Sequence, residues 1–452
     1  MKRFITPLAF ILLAGPAFAQ SSTDQDKRIA DLEKKIEKLI KLDTKKDEPK
    51  DGGFSVKFGG RFHLDSTYFD GSENRLTNGT FMRRARISFK LGLGKDWVGE
   101  GDVDFAEAAV NIKDMWIGYQ GYKNTLIQAG QFKAPFGMDT LGSSNATWLM
   151  ERSYSDVWTP DRHMGVAYAT WGERWQAKAN FFGQAINDTT DAQASADAGG
   201  YKVLDDHAYG AAARFSFAPV LVSETKAVHL GVAVVQRKPN AGAPDVYAVD
   251  FSGRPEQNKV AKAKFLNATV TNVDKWVQTG LEFAGVWNAF SWQSEYQQTK
   301  VNRRGTQMLK WSGTALVGTT LAEQNASVID HSFSTYYGQV SWIIGGQRSY
   351  EVSDGLFGKV APSKSGAWEV VARYSKMDQN DLTALDPVAG GVASNMTLGL
   401  TYYLNKNVRF MLNHTKVDNG LNAAASKAYS PTGVKILNDD FSITSMRVQV
   451  NF

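Results

Sequence analysis

The side chains best able to do chemistry in this sequence are basic ones set two residues apart. Arg84, Arg86, Ser88 and Lys90 alternate with Ala85, Ile87, Phe89 and Leu91, and Arg83 stands beside them with the opposite parity. Lys57, Arg61, Lys178, Arg214 and Arg373 lie in similar alternating surroundings, with Asp65, Asp102, Asp104, Glu282 and Glu369 as acidic company. Cations repeated along a wall do not make or break bonds. They conduct anions, or they pair with carboxylates and hold the wall together. Bond-making chemistry has little to work with. The absence of cysteine removes disulfides, thiolate metal sites and a Cys nucleophile. The histidines, at 63, 163, 207, 229, 331 and 414, are too scattered for a His-based metal cluster. Asp156, Asp161 and His163 could be cast as catalysts, yet their spacing matches no nucleophile–base arrangement. Neither an enzyme nor a metal or cofactor is expected.

The elements that position these cations follow from the hydrophobic period, which is two from Phe54 onward. In the first run Phe54, Val56, Phe58, Phe62 and Leu64 share one face, and Ser55, Lys57, Arg61, His63 and Asp65 the other. Such runs cover 54–66, 80–93, 97–106, 111–120, 125–132, 163–171, 174–184, 207–217, 227–237, 275–287, 288–298, 332–345, 366–376, 395–404, 407–416 and 440–452. Most are near the roughly 9–11 residues that a tilted strand needs to cross a bilayer. The connections mostly alternate short and long, as in a barrel built from hairpins. The spacing therefore predicts an all-β, 16-stranded antiparallel transmembrane β-barrel over 54–452. One connection breaks the rule: 346–365 is long but falls on the short-turn, periplasmic side. A soluble β-sandwich would also alternate. It would not end on Met446, Val448, Val450 and Phe452 alternating with Arg447, Gln449 and Asn451. A closed barrel also satisfies every backbone group in lipid.

Polarity decides which face is wet. A Lys or Arg facing lipid at the midplane costs roughly 2–4 kcal/mol, so Arg84, Arg86 and Lys90 together belong on the water-filled side. Arg83 sits near the outer end of its strand, where the cost is small or a bulge could turn it inward. The candidate anion pathway is Arg61, Arg83, Arg84, Arg86, Lys90, Arg214 and Arg373, with acid–base pairing across strands as the alternative. The connection 131–162 is too long for a hairpin turn and carries Pro135, Trp148, Glu151 and Trp158. Folded into the lumen, it would present Lys133 at a constriction. Basic residues in 238–273 and 299–331 could funnel anions inward.

Ahead of the barrel, Met1–Ala19 reads as a signal peptide: Lys2 and Arg3, an apolar stretch, then Ala17-Phe18-Ala19. Its removal lowers the formal charge of +5 by two, so global charge does not argue for nucleic acid. Residues 20–53 form an N-terminal periplasmic segment. Ile29, Leu32, Ile36 and Leu39 fall at a and d positions of two heptads, a short helical or coiled-coil signal that points to oligomerisation, with a solvated amphipathic helix lying on its own barrel as the alternative. Residues 43–53, with Pro49 and Gly52-Gly53, read as a linker.

Several stretches resemble the phosphate-selective porin O and P family of Gram-negative outer membranes. They are Gly59-Gly60-Arg61, Phe81-Met82-Arg83-Arg84-Ala85-Arg86, Gly130-Gln131-Phe132-Lys133-Ala134-Pro135-Phe136-Gly137, Met150-Glu151-Arg152-Ser153, and Gly366-Ala367-Trp368-Glu369 with Arg373-Tyr374-Ser375. The resemblance implies a homotrimer of sixteen-stranded porins amid outer-membrane lipid and lipopolysaccharide, passing small phosphate-like anions. It implies that Arg61, Arg83 and Arg84 belong to an arginine ladder and that Lys133 is a constriction-loop lysine. The chain departs from phosphate-specific members, which carry a further lysine near the position of Ser144-Asn145-Ala146. A general porin of low selectivity for small polar solutes is the competing expectation.

Overall fold

The computed structural model describes residues 53–452 except 107–108, 187–194, 197–201, 204–207, 240–248, 258–262, 272, 304–310, 313–314, 317–328, 383–386 and 426–435. The leader 1–19 and the amphipathic stretch before Gly53 lie outside the described residues.

Sixteen antiparallel strands close into one barrel. They are β1 (Phe54–Asp70), β2 (Gly79–Leu93), β3 (Trp97–Asp104), β4 (Asn111–Tyr119), β5 (Thr125–Lys133), β6 (Arg162–Trp171), β7 (Trp175–Phe182) and β8 (Gly210–Ser223). There follow β9 (Lys226–Arg237), β10 (Val273–Trp287), β11 (Phe290–Arg303), β12 (His331–Ile344), β13 (Ala367–Asp381), β14 (Val388–Tyr403), β15 (Val408–Asn419) and β16 (Phe441–Asn451). The expected barrel is thus observed, with strand ends shifted by up to seven residues, as where the run expected from 395 begins at Val388. β1 closes it against β16, pairing Asp65 with Arg447.

Alternation sorts the two faces. Phe58 is 77% exposed on the outside whereas Asp65 is 2% exposed on the inside. Ile87, Leu230, Leu281 and Leu398 are likewise exposed. An apolar belt of this kind matches the outward face expected of a strand wall that meets the hydrocarbon of a bilayer. Tight turns join the strands at one end, as at Asn288, whose φ of 56° suits a two-residue hairpin turn.

The connection after β12 departs from this pattern. Gly346–Glu351 pairs with Leu356–Pro362 as a separate hairpin. It turns into the lumen, because Tyr350 and Phe357 find an apolar cluster there with Trp148, Val286 and Ala227. Its Arg348 is fully buried on Glu369 of β13, at 2.6 Å.

From the loop end, residues 134–161 fold inward across the barrel. Two wall glycines admit them: Phe136 lies against Gly280, and Leu149 against Gly399, where any side chain would collide with it. One helical turn, α1 (Met138–Leu141), lies within this inner loop. The Glu295 carboxylate of β11 accepts from the backbone N–H groups of Met138 and Asp139 at 2.9 and 2.7 Å. Those N–H groups have no partner within the turn. Further along, Trp158 packs edge-on against Phe251 and near Phe333, closing an apolar cluster with Tyr154 and Trp276.

Candidate functional site: a basic cavity beneath the inner loop

Alternation brings strand cations inward, and the inner loop and the hairpin enclose them. Between loop and hairpin lies a cavity of about 590 Å³. Arg61, Arg84, Arg86, Lys90, Lys133 and Arg214 line it, so six of the eight sequence-predicted residues share one space. Its wall carries twice as many basic as acidic side chains. Arg83 and Arg373 do not line it.

Arg83 shows why. The β1–β2 register slips at one point: His63 pairs with Arg84 but Leu64 pairs with Met82. Arg83 is the extra residue of a β-bulge, the device that re-aims a side chain. Its guanidinium turns inward and grips Glu151 of the inner loop at 2.6 and 2.8 Å. Arg447 also reaches Glu151, at 3.0 Å, while holding Asp65 with two bonds of 2.7 Å. Burial works against the Glu151 carboxylate, but Arg83, Arg447 and Arg84 overcome it and hold its pKa well below the usual range. Arg373 likewise anchors a loop: it binds Glu256 at 2.6 Å and donates to the Glu151 carbonyl.

The lining cations differ in how far their charge is spent. Arg61 donates to Ser144 of the inner loop at 2.8 Å and to Asp102 at 3.1 Å. Arg86 is shared between Asp104 at 2.8 Å and Asp102 at 3.5 Å. Arg214 makes a bidentate pair with Glu282, and the carbonyls of Asp354 and Gly355 accept from it, which ties the hairpin to the wall. Lys133 lines the cavity, yet its Nζ donates to the carbonyls of Thr140, Leu141 and Gly142. It satisfies the C-terminal carbonyls of α1 as Glu295 satisfies its N–H groups. Arg84 is different. It is buried, its nearest polar partner is the ring of His63 at 3.3 Å, and no carboxylate pairs with it among the described residues. Lys90 is exposed and Lys178 donates to Gln128.

Sequence reasoning missed three lining cations: Arg152, Arg162 and Lys359. Arg152 stood within the Met150–Ser153 motif but had no predicted position. It also lines a second cavity of about 270 Å³ on the other side of the inner loop, with Ser252, Gln257 and Lys264. The carbonyls of Asp139 and Gly142 hold its guanidinium in place. Arg162 opens β6 opposite Lys133 and pairs with Asp114 at 2.7 Å. Lys359 arrives only because the hairpin folds inward; no periodicity announces it.

The profile of the phosphate-selective porin O and P family matches residues 56–452. Porin O of Pseudomonas aeruginosa is 24% identical over 398 residues, covering 81% of this chain and 83% of that protein. Among solved structures, the trimer form of OmpT, an outer membrane protein of Vibrio cholerae, superposes with a TM-score of 0.50 at 8% identity. That match covers 88% of this chain and 99% of OmpT, and it shows the fold. An anion-selective porin from Comamonas acidovorans matches with a TM-score of 0.47 at 13% identity, over 88% of this chain and 100% of that one.

Proposed function

The chain belongs to the phosphate-selective porin O and P family, an outer-membrane porin by descent, and from that premise we propose that it passes small anions by passive diffusion. Phosphate and related oxyanions are the expected solutes. The observation that carries the reading is the cavity beneath the inner loop, whose wall has more cations than acids and includes Arg84, which has no acid partner among the described residues. A confined space lined by one sign of charge raises the local concentration of the opposite ion. Arg152 lines both cavities, so it adds its charge to the wall on either side of the inner loop. Arg61, Arg86, Lys90 and Arg214 extend the basic wall. Arg83, Arg373 and Lys133 act on the loops that bound the path. The working unit is a homotrimer in outer-membrane lipid and lipopolysaccharide, the tight turns facing the periplasm.

A general porin for small polar solutes is the second reading. The pairing of Arg61, Arg86 and Arg214 with carboxylates favours it, since paired charges repel cations weakly. Reconstitution into planar bilayers with a potassium chloride gradient separates the two. Anion selectivity predicts a reversal potential on the chloride side and a chloride current that falls as phosphate is added. A cation-side potential rejects the proposal, and an unselective current without phosphate inhibition favours the general porin.

A further inference from the structure

The lumen wall has one stretch that an inorganic-ion channel does not need. Trp116 of β4 and Leu126 and Phe132 of β5 all line the basic cavity. Barrel interiors of water-filled porins are polar. Here Trp116 and Leu126 meet over Gly118: from the position a Cβ would take there, Leu126 Cδ1 is 2.8 Å away and Trp116 Cζ3 is 3.2 Å away. The missing side chain lets the two close into one apolar plate. Both stay only half-buried, as do Leu141 and Leu356 on the inner loop and hairpin, so apolar surface remains open to the cavity.

A cation stands at the border of this plate. Lys178 Nζ lies 5.3 Å from the centre of the Phe132 ring, and it lines the same cavity as Arg84. Within a wall that is otherwise mostly charged, an apolar plate with a cation at its edge can orient a ligand that has both a ring and a negative charge.

We propose that this cavity holds organic anions with an apolar body, aromatic carboxylates above all, with the ring on the Trp116–Leu126 plate and the carboxylate toward Lys178, which is level with Leu126 two strands away and donates to Gln128 opposite Gly118. The inference rests on the anion-channel reading and narrows its solute class. A bare anion gains nothing from the plate. A ring buries apolar surface there, which at the usual value per unit area tightens binding by about tenfold.

Chloride current through the reconstituted protein is titrated with sodium benzoate, sodium acetate and inorganic phosphate. Half-inhibition by benzoate is expected at about one-tenth of the acetate concentration. In Trp116→Ser and Leu126→Ser, each checked for unchanged strand content by circular dichroism and for open channels in the bilayer, the benzoate-to-acetate ratio falls toward one. Equal inhibition by benzoate and acetate in the wild type overturns the inference, as does a ratio that survives both substitutions. The reversal potential of the wild type separates the two levels. If anion selectivity holds while benzoate has no advantage, only the solute class is wrong; if the potential is cation-side, the channel reading itself has failed.

Discussion

Arg83 and Glu151 are joined by two short hydrogen bonds, 2.6 and 2.8 Å, between a bulge residue of the wall and the loop that crosses the lumen. The bulge is the cause: without the extra residue, Arg83 would keep the lipid-facing parity of Ala85 and Ile87.

Arg83→Met is expected to loosen the inner loop. Removing one partner of a largely buried pair typically costs about 3–5 kcal/mol, tempered here because Arg447 also holds Glu151. The measurement is thermal unfolding in detergent together with single-channel noise. A variant as stable and as quiet as the wild type would show that the pair does not restrain the loop.

The same contact sets an acid limit. The folded pKa of Glu151 lies below its unfolded value, so its stabilisation is full above about 4.3 and is lost as pH falls through the folded value. The stability gap between wild type and Glu151→Gln should therefore be constant from about pH 7 to 5 and shrink only under stronger acid. A gap that closes already near neutrality contradicts the assignment.

Arg348 and Glu369 are both fully buried, and the guanidinium of Arg348 lies 4.0 Å from the Trp148 ring. Arg348→Met alone leaves a buried carboxylate unpaired and should cost several kcal/mol, roughly 3–5. Adding Glu369→Leu should restore part of that loss by removing the unpaired charge, but not all of it, because the buried Ser341 and Tyr403 hydroxyls that donate to Glu369 lose their acceptor. Non-additivity in this cycle is the readout; purely additive losses would mean the pair is not what docks the hairpin.

Arg84 and Lys133 should separate in bilayer recordings. Arg84→Gln removes a cation with no acid partner among the described residues and is expected to move the reversal potential toward cations by more than any other single lining change. Lys133→Gln removes the bonds to three loop carbonyls, so greater channel noise with a smaller shift in selectivity is expected. The reverse ranking would return Lys133 to the centre of selectivity.

Period-two alternation made the wall readable in advance. A residue's face on a strand is fixed by parity, and the cost of charge in lipid assigns the faces. Arg61, Arg84, Arg86, Lys90 and Arg214 could be placed inside from that alone. Arg83 could not, because a one-residue slip in register leaves no mark on the composition of its neighbours. The connection 346–365 was visible only as an exception in length. Its inward fold depends on Tyr350 and Phe357 meeting Trp148, a residue about two hundred positions away.

The sequence by itself determined the closed cylinder, its sixteen crossings and the wetness of the arginine face, because each follows from local period and from the penalty for charge in hydrocarbon. Only the tertiary structure decided which cations keep a charge to offer a solute. That depends on what the inner loop and distant segments deliver: Glu151 to Arg83, Glu256 to Arg373, the carbonyls at the end of the nearby α1 turn to Lys133, and, among the described residues, no carboxylate to Arg84.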